Sequence, residues 1–321
     1  MRRYTQLTHV QRYQIYALKK AGVSQTQIAM VIGVHKSTIS RELRRNTGGR
    51  GYRPKQADLL AHHRASKRHA ARISEATWGT IESLLRQDWS PEQISGRLKR
   101  DGEATVSHEW IYQYVLKDKR SGGTLYRHLR CKRKRKKRYG SHERRGRIPD
   151  QVRISERPAV VDERSRLGDW ELDTIIGAHH KQAIVSLTER KGRFALIAKV
   201  ERKTADNVNA AVQSLLEPYT DFVHTITSDN GREFAGFKQI AAETHAEYYF
   251  ADPYASWQRG TNENTNGLIR QYFPKKCDFR TITDEQIQEA MDKLNNRPRK
   301  CLGFRTPNEV LLEAQTVALT N

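Results

Sequence analysis

Three acidic residues, Asp173, Asp229 and Glu263, stand in settings suited to holding a divalent cation. Asp173 lies within Trp170-Glu171-Leu172-Asp173-Thr174-Ile175-Ile176-Gly177, where apolar and β-branched neighbours spell a buried strand carrying a carboxylate. A bare charge there is costly unless something pairs with it. Asp229 ends a second strand, His224 to Asp229, and Asn230-Gly231 turns the chain at once, leaving the side chain at a sheet's carboxyl edge, where α/β sheets present functional groups. Glu263 follows after 33 intervening residues, on a segment from Thr261 to Tyr272 that reads as a helix with Thr261 as its cap. Two strand carboxylates and one helix carboxylate can converge on one oxygen-lined site.

Oxygen-only ligation suits Mg²⁺ or Mn²⁺, hard ions that keep waters and bridge phosphate oxygens. Phosphoryl transfer on nucleic acid is the chemistry such a site performs best, with two ions about 3.5–4 Å apart serving the attacking and leaving oxygens. Singly each acid has an ordinary reading, because Asp after a strand is common in turns and Glu on a helix is usually solvated; the combination favours a site. Among neighbouring acids, Glu171 is expected to alternate away from Asp173 along the strand, Asp252 stands before Pro253 in a loop, and Glu233 follows Asp229 too closely to reach round. All three are expected in surface or supporting contacts, with Asn230 and Asn264 as supporting donors.

The elements that position these acids fall into a basic half and a neutral one. Of 58 Lys plus Arg against 36 Asp plus Glu, a net of +22, residues 1–150 hold 35 basic and 12 acidic side chains. That surplus is an electrostatic footprint for a polyanion, most commonly nucleic acid. Its densest run, Lys132-Arg133-Lys134-Arg135-Lys136-Lys137-Arg138, reads as a DNA-gripping linker over 131–152. No amphipathic apolar face accompanies it, which disfavours a membrane-surface role.

At the N-terminus, Leu7, Val10, Ile15 and Leu18 mark an amphipathic first helix stopped by Gly22. Ser24 with Gln27 forms a capping box for a second helix whose inner face is Ile28, Ala29, Val31 and Ile32, and Gly33 supplies a turn. A third helix over 35–45 turns Ile39 and Leu43 inward and Lys36, Ser37, Ser40, Arg41, Arg44 and Arg45 outward. This is a helix-turn-helix over 1–46, and its outward residues are those that contact base edges and phosphates. A helical linker over 47–88 leads to a second, similar unit over 89–130, opened by Ser90-Pro91-Glu92 and outlined by Ile94, Leu98, Val106, Trp110, Ile111 and Val115. The catalytic portion then occupies 153–321.

Length allows two or three domains, and 36% hydrophobic content suits modest cores. No apolar stretch approaches the roughly 18 residues of a membrane span. Met1-Arg2-Arg3-Tyr4 has no apolar core behind it and is not a secretory signal. Cys131, Cys277 and Cys301 lack the spacing of a zinc site or disulfide framework, and the histidines, His62-His63 and His179-His180 included, read as loop or surface residues. A reducing cytoplasm, with DNA as partner and no small-molecule cofactor, is the expected setting.

Three stretches resemble the DDE class of bacterial insertion-sequence transposases, in the family named after insertion sequence thirty. They are Gly33 to Asn46, Gly168-Asp169-Trp170-Glu171-Leu172-Asp173, and Ser228-Asp229-Asn230-Gly231-Arg232-Glu233-Phe234 taken with Trp257 to Asn266. The resemblance implies that Asp173, Asp229 and Glu263 are the metal ligands, and that Arg270, two helical turns after Glu263, corresponds to the family's basic residue at that place. It also implies an α/β ribonuclease H-like core with a mixed five-stranded sheet, preceded by all-α helix-turn-helix units. Strands at 180–187 and 194–200, a helix from Thr204 to Leu216, a helix near 234–244 and a strand at 248–250 agree with that order. In the loop before Glu263, Tyr254 and Trp257 are candidates for stacking on distorted DNA or, equally, for packing the loop against the core, and Arg259 for contacting DNA. The resemblance implies cleavage at terminal inverted repeats, 3′-hydroxyl attack on another phosphodiester, and a homodimer or larger assembly. Two readings stay open beside it, a DNA-binding repressor with an inactive core and a nuclease that cuts without joining.

Overall fold

The computed structural model describes residues 6–68, 73–103, 106–130, 148–178, 182–253 and 255–320, and the basic run at 132–138 lies outside them. The chain divides into two compact units, Met1–Ser74 and Glu75–Asn321.

The first unit holds α1 (His9–Lys20), α2 (Gln25–Ile32), α3 (Lys36–Asn46), a short hairpin of β1 (Thr47–Gly48) and β2 (Gly51–Tyr52), and α4 (Pro54–Arg68). Thr8 with Gln11 and Ser24 with Gln27 close capping boxes on α1 and α2, and Gly33 ends α2 at φ +74°, a left-handed conformation that costs glycine least. Leu7, Ile15, Ile28, Ala29, Ile39 and Leu43 form the core, as the pattern predicts, while Val10 and Val31 are solvent-exposed. The core does not close at Asn46: Tyr52 and Ala57 are buried in it, so the hairpin and α4 extend the unit past the boundary expected from sequence. A buried polar hub binds these elements. Arg12 pairs with Glu42 at 3.0 Å and Asp58 at 2.6 Å, and the Tyr52 hydroxyl donates to Glu42 at 3.1 Å.

The second unit opens with α5 (Glu75–Arg86), α6 (Pro91–Arg100) and α7 (His108–Arg120). Ser90 caps α6 as expected, and Gln93 completes a capping box with it; Ile94, Leu98, Ile111 and Val115 are buried, while Trp110 is exposed. These helices belong to the same compact unit as the sheet that follows. After α8 (Ala159–Glu163) come β3 (Asp169–Ile176), β4 (Ala183–Glu189), β5 (Ala195–Val200), α9 (Ala205–Leu216), β6 (Thr225–Ser228), α10 (Phe237–Thr244), β7 (Glu247–Phe250), α11 (Gly260–Tyr272), α12 (Asp284–Asn295) and α13 (Pro307–Thr320).

The five strands order as β5-β4-β3-β6-β7, antiparallel through β5-β4-β3 and parallel through β3-β6-β7. This is the mixed sheet of a ribonuclease H-like core. Apolar layers cover both faces. Trp170, Leu172, Ile226, Val208, Val212 and Ile240 pack on one; Ile175, Ile184, Ile197, Leu268, Ile269 and Leu294 pack on the other. Ile148 joins the first layer and the Phe250 N–H donates to Val152 at 2.9 Å, so the end of the expected linker is core. Gly168 leads into β3 at φ +101°, where a Cβ would stand 2.9 Å from the Phe222 carbonyl oxygen; no other residue fits without displacing backbone.

Candidate active site

The parallel pairing of β3 with β6 brings Asp173 and Asp229 together. Asp173 lies mid-strand, opposite Ser186 of β4, and Asp229 follows the last residue of β6. One side chain bridges them: Arg259 stands 3.5 Å from Asp173 through Nη1 and 3.5 Å from Asp229 through Nη2. Its guanidinium also donates to the Leu172 carbonyl at 3.3 Å. Expected as an open contact for DNA, Arg259 is instead only 11% exposed and serves as the counter-ion of the two carboxylates.

Each carboxylate is oriented by neighbours. The Thr174 N–H donates to Asp173 Oδ1 at 2.8 Å, Asn266 Nδ2 donates to Asp173 Oδ2 at 2.9 Å, and the Gly231 N–H donates to Asp229 Oδ1 at 2.8 Å. Burial pushes the Asp173 carboxyl above its ordinary range; Arg259 opposes that, and the nearby carboxylates of Asp229 and Glu233 add to it. A pair so placed calls for positive charge.

Glu263 does not join them. It lies exposed in the first turn of α11, and among the described residues no hydrogen bond or ion pair involves its carboxylate. Among those residues no three His, Cys, Asp or Glu side chains come close enough together to hold a metal ion. Glu263 does precede by three residues Asn266, the donor to Asp173, and residues three apart lie on neighbouring turns of one helix face. Arg270, farther along α11, donates to the Ile176 carbonyl at 2.8 Å, pinning the helix to the end of β3. Thr261 is not the helix cap: α11 begins at Gly260 after Arg259, and the hydroxyl of Thr261, in the first turn, accepts from the guanidiniums of Arg164 and Arg193 instead.

Glu171 and Asp173 were expected on opposite faces, but residues two apart on a strand share one. Both meet α11, whose Asn262 N–H donates to Glu171 at 2.8 Å. Glu171 is fully buried against Arg190, 2.8 Å away, rather than at the surface. Glu233 is also buried; it accepts from the Thr174 hydroxyl at 3.0 Å and pairs with Lys203 at 2.6 Å, because the short helical turn Arg232–Phe234 folds it back toward Asp173. Asp252 holds Gln258 at 2.9 Å. Asn230 donates to the Ala251 carbonyl at 2.7 Å and Asn264 is exposed, so the supporting amides are Asn262 and Asn266. Their i, i+4 spacing on a helix facing a strand of alternating acids was the available signal.

Two carboxylates already facing one cationic group, with oxygen donors only, fit a hard divalent ion. Around them, Trp257 stands 75% exposed, and Tyr254 lies outside the described residues. In the first unit Lys36, Ser40, Arg41, Arg44 and Arg45 are exposed along α3, with Ser37 half-buried beside the cap His35. This is the solvent-facing basic helix expected of a major-groove reader.

Residues 3–46 match the family model of a helix-turn-helix domain. The chain is 44% identical to the transposase for insertion sequence element IS4351 of Bacteroides fragilis, covering 94% of each protein. It is 39% identical to the transposase for insertion sequence element IS1086 of Cupriavidus metallidurans, over 97% of this chain and 95% of that protein. With the transposase for insertion sequence element IS30A of Escherichia coli the identity is 36%, over 98% of this chain and 85% of that one. Among solved structures, the catalytic core domain of BIV integrase aligns at a TM-score of 0.40 and 20% identity, over 48% of this chain and 99% of that one.

Proposed function

Because this chain belongs to the DDE family of insertion-sequence transposases that includes the IS30 enzymes, we propose that it cuts DNA at the terminal inverted repeats of its element and joins the ends to new DNA, using Asp173, Asp229 and Glu263 as ligands for Mg²⁺ or Mn²⁺. The observation that carries the reading is the convergence of Asp173 and Asp229 on the single cationic group of Arg259. Two divalent ions, when bound, would activate the attacking oxygen and stabilise the leaving one.

The chain's own residues supply the positioning. Asn266 and the Thr174 N–H fix both oxygens of Asp173, and the Gly231 N–H fixes Asp229, so neither needs to reorganise. Glu263, a turn before Asn266, is the nearest carboxylate that α11 offers to complete the set. In the cutting step water attacks a phosphodiester, leaving a 3′-hydroxyl and a 5′-phosphate; in the joining step that hydroxyl attacks a second phosphodiester and expels its 3′-oxygen. Exposed basic residues of α3, with Lys132, Arg133, Lys134 and Arg135, hold the DNA, and Trp257 stacks on distorted bases near the cut. The enzyme acts in the bacterial cytoplasm as a homodimer or larger assembly.

The test is incubation of the full chain with DNA bearing the element's ends, with Mg²⁺ or with EDTA. Metal-dependent cleavage with joined products supports the reading. Cleavage without joining leaves a nuclease, and binding without either leaves a repressor.

A further inference from the structure

Beside the start of α11 lies a group of arginines whose charges do not balance. Arg157 pairs with Asp162, and Arg190 pairs with Glu171 at 2.8 Å and with Asp162 at 3.2 Å. Arg164 and Arg193 have no such partner: among the described residues no carboxylate lies within 4.0 Å of either guanidinium. Both turn instead to one neutral oxygen, the buried Thr261 hydroxyl, Arg193 donating at 2.9 Å and Arg164 at 3.2 Å. Four guanidiniums thus share two carboxylates. Glu189, the next acid along the hairpin, is occupied by the N–H groups of Gly168 and Gly192.

Holding like charges half-buried together is unfavourable, and the fold does so twice over. Arg164 sits at φ +54° and Arg193 at φ +61°, left-handed conformations that are unfavourable for a non-glycine residue. The Nε of Arg193 is buried without a partner. Arg164 is pushed below its ordinary value by burial and by the adjacent Arg193 and Arg190, the response of a cation among cations. Thr261, on which the two forks meet, is two residues before Glu263.

We infer that Arg164 and Arg193 form a clamp for one backbone phosphate of the DNA strand held beside the catalytic carboxylates. Two planar forks meeting on one oxygen are arranged to take an anionic oxygen in its place, and a phosphodiester supplies the missing charge. The inference rests on the reading of the chain as a DNA-processing enzyme, and it assigns these arginines to positioning the strand rather than to the chemistry.

The test uses the full chain and a duplex carrying the element's end, in EDTA so that no strand is cut. Affinity is measured by fluorescence anisotropy across salt concentrations, for the parent and for the double variant Arg164→Gln/Arg193→Gln. Loss of one phosphate contact lowers the slope of log K against log salt by about one and weakens binding roughly tenfold. An unchanged slope overturns the clamp. Should the double variant fail to fold, Arg164→Lys and Arg193→Lys are measured singly: retained slope with several-fold weaker binding fits a fork gripping phosphate, and unchanged affinity in both overturns it. Because the assay contains no metal, failure of the carboxylate chemistry would leave this result standing, and the reverse also holds.

Discussion

Asn262 is the joint through which the sheet positions α11, and its removal has a calculable cost. The side chain is fully buried; its Nδ2 donates to the Glu171 carbonyl at 3.2 Å and the Ser186 carbonyl at 3.5 Å, while its Oδ1 accepts from Thr188 at 3.1 Å and Ser186 at 3.3 Å. In Asn262→Ala the Ser186 hydroxyl keeps Asn266 at 2.8 Å, but the buried Thr188 hydroxyl loses its acceptor. One orphaned hydroxyl at about 1–3 kcal/mol, plus net loss of the better bonds at about 1 kcal/mol, gives a destabilisation of about 2–4 kcal/mol. All five tryptophans, Trp78, Trp89, Trp110, Trp170 and Trp257, lie in the second unit, so urea unfolding followed by their fluorescence reads that unit. Adding Thr188→Val removes the orphan and should recover about 1–2 kcal/mol in a double-mutant cycle. The exposed neighbour substitution Asn264→Ala should stay within about 0.5 kcal/mol. If Asn262→Ala is equally mild, or Thr188→Val recovers nothing, the network does not hold the helix.

In the first unit, Arg12→Leu leaves Glu42 buried beside Tyr52 without its cation, and should cost about 3–5 kcal/mol in thermal unfolding of that unit; a shift below about 1 kcal/mol would refute the hub. Glu189 is pushed up to about 7 by burial, against 4.5 when unfolded. The folded chain therefore binds the extra proton between those values, so this residue's contribution is complete below about pH 4.5 and shrinks by about 3 kcal/mol as pH rises to 7. The stability difference between the parent and Glu189→Gln should change by that amount over this window, and a flat difference would contradict it. With net charge +22 concentrated in the first half, DNA affinity should fall about 10³–10⁵-fold between 50 and 200 mM salt if six to ten phosphates are contacted; a shallow response would remove the basic half from the interface.

The parts of this molecule governed by local rules were legible in its sequence. The capping box at Ser24, the cap, proline and acid of Ser90-Pro91-Glu92, the periodicity of Ile39 and Leu43, and the apolar, β-branched run around Trp170 each act over a few residues, and each element formed where its pattern lay. Tertiary pairing was less legible. Tyr52 and Ala57 extend the first core because a hairpin folds α4 back onto α1, which no local pattern announces. Arg259 read as a DNA contact in the loop before Glu263, and only the meeting of β3, β6 and the turn before α11 makes it the bridge between Asp173 and Asp229. Glu171 was misassigned by a parity error that the strand geometry corrects, and its pairing with Arg190 and Asn262 explains why a buried acid is tolerated. Glu263 was legible as a helix residue, and it lies in the first turn of α11, but its carboxylate is exposed and stands apart from the other two, a spacing that no local pattern sets.

The most direct measurement compares Asp173→Asn, Asp229→Asn and Glu263→Gln with the parent in Mg²⁺-dependent cleavage and joining of the element's ends, with DNA affinity measured alongside. If the three acids form one metal site, each substitution abolishes both products, a loss of at least about 10³-fold, while affinity for the ends in EDTA is unchanged. Cleavage and joining that survive Glu263→Gln would put the third ligand elsewhere, with buried Glu233 the next residue to change; survival in Asp229→Asn would contradict the site altogether.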